Sequence, residues 1–198
     1  MKQISIYHHQ TGDILFQGRF PAVRECVEAA IAQGTRLDYA DLRHADLSNA
    51  ALDNARMSHA LCDYANLNGA NMSEGMFESA SFVNVTFFGA CLCESDFRRA
   101  RFEGALFGGT DIYDTRMDYA LFSTDSALLL PFGKARSMQG CAFRDITGRH
   151  HEFSAPPITI FGLRHPVSLI GAAIKTGASF STMCDPARTK IQRLAHKY

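Results

Sequence analysis

The densest cluster of groups able to bind a metal or move a proton is His150-His151-Glu152. Consecutive residues on an extended chain point to opposite sides, so the three converge poorly on one ion, and a loop is their expected setting. Six cysteines, at 26, 62, 91, 93, 141 and 184, show no CxxC spacing and are expected as reduced thiols rather than as a metal site or disulfide framework. Neither a GxSxG elbow, a GxxxxGK(S/T) phosphate loop nor an HExxH pair occurs. The serines have no evident His and Asp partners. No catalytic residue, metal or cofactor is therefore expected, and the chemistry that remains is that of charge and surface.

Charge is unevenly spread. The 198 residues carry 20 Lys and Arg against 20 Asp and Glu, a net of zero. Residues 1–34 are balanced, residues 35–125 hold fourteen acids against seven Arg and no Lys (−7), and residues 126–198 hold ten bases against three acids (+7). An acidic middle joined to a basic end points toward interaction through charge. With 46% hydrophobic residues there is ample material for a core, and no run of about 18 apolar residues to span a membrane. Tyr7, His8 and His9 stand where an export signal would need an apolar run, so a cytoplasmic setting is expected.

The elements that position these charges are set by one register. From Leu37 to Phe122 every fifth residue is large and apolar (only Cys62 is small), eighteen in succession. Two residues before each stands a small one, mostly Ala, from Ala40 to Ala120. A period of five fits neither an amphipathic helix nor a half-buried strand. It requires a chain that turns once per five residues, with both sets pointing into a shared interior. Cys62 is then an inward position, and Cys91 and Cys93 flank the inward Leu92.

The flanks read differently. Gln3–His8 and Ile14–Phe16 are expected as strands around the turn Thr11-Gly12-Asp13, followed by a helix from Pro21 to Gly34 with an apolar stripe of Val23, Val27, Ala30 and Ile31. This hairpin and helix would seal one end of the repeat core. Beyond Phe122 the register fails at Leu128-Leu129-Leu130-Pro131-Phe132-Gly133, and Met138 and Phe143 resume it one step out. A small unit follows, with strands at 158–161, 167–170 and 178–180 and a terminal helix opened by Asp185-Pro186 and decorated by Arg188, Lys190, Arg193 and Lys197. The division expected is a cap at 1–34, a repeat unit at 35–125 and a capping or interaction unit at 126–198. The basic end would cap the rod or pair with the acidic face of a second copy. It carries no helix-turn-helix, zinc or RNP signature, so direct nucleic-acid binding is not expected.

Segments such as Ala40-Asp41-Leu42-Arg43-His44, Ala45-Asp46-Leu47-Ser48-Asn49 and Ala65-Asn66-Leu67-Asn68-Gly69 resemble the A(D/N)LXX motif of the pentapeptide-repeat family. The resemblance implies a mainly β fold, a right-handed quadrilateral β-helix with twenty residues per coil. Sorted on such a coil, the fourth face carries Asp53, Glu74, Glu94, Asp111 and Asp114 with no basic residue, and Glu74, Glu94 and Asp114 stack at one corner with nothing local to neutralise them. The third face carries only Asp46, with Gly69, Gly89, Gly108 and Gly109 leaving it flat and Phe88 and Leu106 outward, as for a dimer or partner surface. Qnr-type quinolone-resistance members of the family resemble B-DNA and act on DNA gyrase. The acidic face thus suggests a DNA-mimic-like regulator or inhibitor docking on a DNA-processing enzyme, gyrase-like or from a host defence system. The alternative is a structural or oligomerising scaffold. This chain departs from the Qnr pattern in its zero net charge and in a register without a loop insertion.

Overall fold

In the computed structural model, which describes residues 1–161 and 165–182, all eighteen register positions point inward and are at most 5% exposed. The small residues before them are buried as well, except the half-buried Thr35. Isolated parallel bridges join residues twenty apart in four ladders, beginning with Asp41 to Leu61, Asp46 to Asn66, Ala51 to Asn71 and Arg56 to Met76. Four pentapeptides therefore make one coil, and coils satisfy one another's backbone groups: Leu42 N donates to Leu61 O (2.8 Å) and Leu61 N to Ala40 O (2.9 Å).

Each pentapeptide bends at a turn closed from the fourth residue to the first, as in Ala45 N to Leu42 O at 3.2 Å. The third turn residue takes a left-handed conformation, as in a type II turn. Glycine fills it at 69, 89, 104 and 109, but thirteen other residues, from Tyr39 to Tyr119, adopt it at φ of 54 to 63°. The Asp or Asn of the motif has a local task. Its Oδ1 accepts the backbone N–H two residues on, as in Asp46 to Ser48 (3.1 Å), Asn66 to Asn68 (3.1 Å), Asp96 to Arg98 (3.1 Å) and Asp111 to Tyr113 (3.1 Å). That donor faces away from the ladders, and the short side chain satisfies it.

Inside, aromatic rings stack coil on coil: Phe77 on Phe97 at 4.8 Å, Phe87 on Phe107 at 5.3 Å, and Phe82, Phe102 and Phe122 in one column at 5.5 and 5.3 Å. Neighbouring columns meet edge to face, as Phe82 meets Phe87 at 61°.

At the first coil, β1 (Lys2–Tyr7) and β2 (Ile14–Phe20) form an antiparallel hairpin, and α1 (Val23–Ala32) buries Cys26, Val27 and Ala30 in the same core. The second strand runs four residues past the expected Phe16, because Lys2 pairs with Phe20. Tyr7 O accepts from Asp41 N at 2.8 Å, and Glu28 Oε1 accepts from Ala51 N at 2.9 Å. Donors that face no lower coil are thus taken up by the hairpin and helix.

At the other end, β3 (Arg101–Phe102), β4 (Leu121–Phe122) and β5 (Cys141–Arg144) continue the ladder in parallel, with Phe122 opposite Phe143. The spacing there is twenty-one, as the shifted register implied; two short 3-10 turns, Asp125–Leu129 and Phe132–Lys134, occupy the segment where it failed. β6 (His150–Phe153) then pairs antiparallel with β5. His150-His151-Glu152 is therefore a strand and not a loop: its polar side chains hide a backbone held by the edge of β5. Beyond it β7 (Ile158–Ile160), β8 (Val167–Ile170), β9 (Ala173–Thr176) and β10 (Ser179–Thr182) form an antiparallel sheet, four strands where three were expected. The expected terminal helix, with Arg188, Lys190, Arg193 and Lys197, lies outside the described residues. No helix among the described residues is long and apolar enough to cross a membrane.

Candidate functional site

The left-handed turn positions form columns along the rod, and one column runs Asn54, Glu74, Glu94, Asp114. Glu74 N donates to Cys93 O and Glu94 N to Tyr113 O, so successive members sit one coil apart, about 4.8 Å along the rod. Glu74 and Glu94 are exposed and have no ion-pair partner among the described residues. Asp111 is exposed too, and Asp53 half-buried, each at another position of the same face.

Asp114 departs from expectation. Arg136, from the segment that follows the repeats, pairs with both of its oxygens, with Nε at 2.9 Å from Oδ1. That guanidinium holds the Asp114 carboxyl below its usual range. The strip is thus neutralised at its upper end, and Glu94 adds to the field on the same Arg136. The pairing arises because the segment beyond the one-residue register shift crosses directly above Asp114, whose N–H reaches Lys134 O at 2.8 Å.

On the other faces several acids are paired. Asp41 pairs with Arg43 (2.6 Å), Asp96 with Arg98 (2.6 Å), and Glu78 with Arg98 (3.5 Å) and Arg99 (3.8 Å). Glu103, only 8% exposed, is held between Arg101 (2.6 Å) and Arg144. Burial works against its charge, and the two guanidinium groups outweigh that, so its carboxyl sits below the usual range. Glu74, Glu94, Asp111 and Asp53 carry charge without such partners among the described residues.

On the third face Phe88 is 46% and Leu106 41% exposed. The Phe88 ring lies over Gly108 of the next coil, where a β-carbon would stand 2.7 Å from Cδ1, so glycine there permits the close approach. Leu129, 61% exposed, lines an adjoining groove of about 490 Å³ with Phe107, Asp111 and Lys134. The rod itself is convex, and this groove exists only because the chain folds back after the last coil.

Two features were missed in sequence. His8, Tyr39 and His59 stack at 4.9 and 4.7 Å, and His44 on Tyr64 at 5.0 Å; the twenty-residue spacing of 39 with 59 and of 44 with 64 was the available signal. His151 Nε2 donates to Asp145 Oδ2 at 2.9 Å and the ring stacks on Phe180 at 4.1 Å, so this histidine packs the C-terminal strands together. No cluster of three or more His, Cys, Asp or Glu suited to a metal occurs among the described residues.

The family model described as pentapeptide repeats matches in eight copies over residues 33–74, 52–87 and 80–118. Similar solved structures include a pentapeptide repeat protein from Nostoc PCC 7120, 22% identical with a TM-score of 0.34, over 50% of this chain and 79% of that one. A pentapeptide repeat protein from the Arabidopsis thaliana thylakoid lumen is 24% identical with a TM-score of 0.35, over 54% of this chain and 66% of that one. QnrB1, a plasmid-mediated fluoroquinolone resistance protein, is 15% identical with a TM-score of 0.25, over 55% and 64%. The chain thus spans less than two thirds of the last two. No curated protein matches the sequence. Eight copies of the repeat, laid on ladders twenty residues apart, make residues 33–118 of this chain a pentapeptide-repeat unit.

Proposed function

We propose that this chain is a non-catalytic binding protein that docks its acidic fourth face on the basic surface of a DNA-processing enzyme, in the manner of a DNA mimic. The observation that carries this reading is the exposed, stacked pair Glu74 and Glu94, one coil apart and without basic partners among the described residues, where Asp41, Asp96 and Glu103 of neighbouring faces are each paired with Arg. Carboxylates repeating at about 4.8 Å approach the 3.4 Å rise between phosphates of one DNA strand. Like charges stacked across neighbouring strands are mildly destabilising. A face that keeps them unpaired is suited to a cationic partner. The right-handed, four-sided form and the division into residues 1–34, 35–125 and 126–198 belong to this proposal. The four ladders and the register shift after Phe122 support them.

The test is binding to immobilised DNA gyrase and other DNA-processing enzymes, comparing the wild type with Glu74→Lys/Glu94→Lys. Binding that salt weakens, duplex DNA displaces and charge reversal reduces at least tenfold supports mimicry. Equal binding by both forms sinks it.

A second reading rests on Phe88, Leu106 and Leu129, which expose apolar surface beside one groove. In that reading the rod is a scaffold and this face pairs with a second copy. Sedimentation would then give a dimer that Phe88→Ser/Leu106→Ser converts to monomer, with the charge-reversed form unaffected.

A further inference from the structure

The bend of each pentapeptide alters how neighbours across an inward residue meet. On a flat strand, residues i and i+2 share a face roughly 6.6 Å apart. Here the side chains flanking an inward residue touch. Arg43 Nε lies 2.8 Å from Asp41 Oδ1 across Leu42, and Ser73 Oγ 2.8 Å from Asn71 Oδ1 across Met72. Arg98 Nε reaches Asp96 Oδ1 at 2.8 Å across Phe97, and Arg101 Nε reaches Glu103 Oε2 at 3.0 Å across Phe102. Cys91 and Cys93 occupy the same two places around Leu92, and their sulfurs lie 2.9 Å apart. That is longer than the S–S bond of about 2.05 Å and close enough for direct contact between the two thiols. Both are half-buried and reachable from solvent, whereas Cys26, Cys62 and Cys141 are buried and separate.

We propose that Cys91 and Cys93 are a redox-active dithiol that closes to an intramolecular disulfide by exchange with a low-molecular-weight disulfide such as oxidised glutathione. The Cys91 thiolate attacks one sulfur of the small disulfide, forming a mixed disulfide and expelling one thiolate. The Cys93 sulfur then attacks Cys91 Sγ, closing the Cys91–Cys93 bond and expelling the second thiolate, which takes the Cys93 proton. Two protein thiols are oxidised and one disulfide is reduced to two thiols. Burial, and then the adjacent Cys91, push the Cys93 thiol up to about 12, in keeping with Cys93 as the resolving thiol. The ring closed across a single residue is small, so the bond is readily reduced again: it is a reversible modification and not a staple. The pair lies on the fourth face, bonded through Cys93 to Glu94, with Asp111 bridged to Cys91 one coil above.

The experiment uses the full chain carrying Cys184→Ser, equilibrated in glutathione buffers of rising oxidised fraction, acid-quenched and read by peptide mass spectrometry. The expected product is a peptide that has lost two hydrogens, carries no glutathione, and reverts with dithiothreitol. In the Cys93→Ser variant a single glutathione should remain on Cys91. That variant places at 93 the residue found at 73 in the coil below, so it folds, and circular dichroism checks that it does. Stable glutathione adducts on the unsubstituted pair, inert thiols, or a bridge involving Cys26, Cys62 or Cys141 would each overturn the proposal.

Discussion

At φ near +60° a β-carbon crowds its own carbonyl oxygen, which costs roughly 1–2 kcal/mol outside glycine and is least resisted by Asn. Glu94 holds that conformation at φ 59°, in a column whose first member is Asn54. Glu94→Asn should therefore stabilise the chain by about 0.5–1 kcal/mol, a rise of about 1–4 °C in Tm, while weakening any contact with a cationic partner. Thermal unfolding checks the first, and a lowered Tm would show that the carboxylate itself stabilises the rod. A second residue-scale effect concerns pH. The Arg43 guanidinium lowers the Asp41 carboxyl, Ser48 lowers Asp46, and Thr147 with His151 lowers Asp145 strongly; burial opposes the charge of Asp96 but Arg98 outweighs it. A carboxylate depressed in the folded state contributes stability that is complete above its unfolded value of about 3.9 and is lost as pH falls toward the folded one. Urea midpoints should be level from about pH 7 to 5 and fall below about 4, with Asp145→Asn flattening the fall. A midpoint that drops between pH 7 and 5 would overturn the assignment to these carboxylates.

Among the elements, the phenylalanine column sets the rigidity of the upper coils. Phe102 stacks on Phe82 and Phe122 and is fully buried. Phe102→Ala should cost about 3–5 kcal/mol, and Phe102→Leu less, since Leu42 fills the same column lower down. Denaturant unfolding of the two variants makes the comparison; equal losses would mean that refilled volume does not replace the stacked ring. This column was legible at once, because a five-residue register survives eighteen turns without a slip. The strands after it were harder. No strand was expected at 173–176, yet Ala173–Thr176 is one, and its Lys175 is 8% exposed and pairs with Asp125 at 2.7 Å, a partner fifty residues earlier. β6 reads as polar loop because its strand character comes from β5 and not from its own side chains. The Asp114–Arg136 pair was hidden for a related reason: one extra residue in the last coil decides which base arrives over the column.

For the whole molecule, nearest-neighbour stacking makes coils close to interchangeable units. Removing residues 61–80 joins Ala60 to Ser81, which stands on the same ladder as Leu61. The shortened chain should fold cooperatively with the same far-ultraviolet spectrum, at a modest loss of stability. Loss of the fold would mean that this particular coil is a nucleus and not a repeat. Two periods coexist in the rod, five for the interior and twenty for the exterior, and they respond differently to a change in chain length. A gain of twenty residues alters only length. A gain of five leaves every inward position inward but carries everything downstream a quarter of the way around the axis, so Glu94 would lose its place above Glu74. Azimuth and length are thus separate heritable variables, and slippage of one pentapeptide in the coding sequence would re-aim the outer surface without a single substitution in the core.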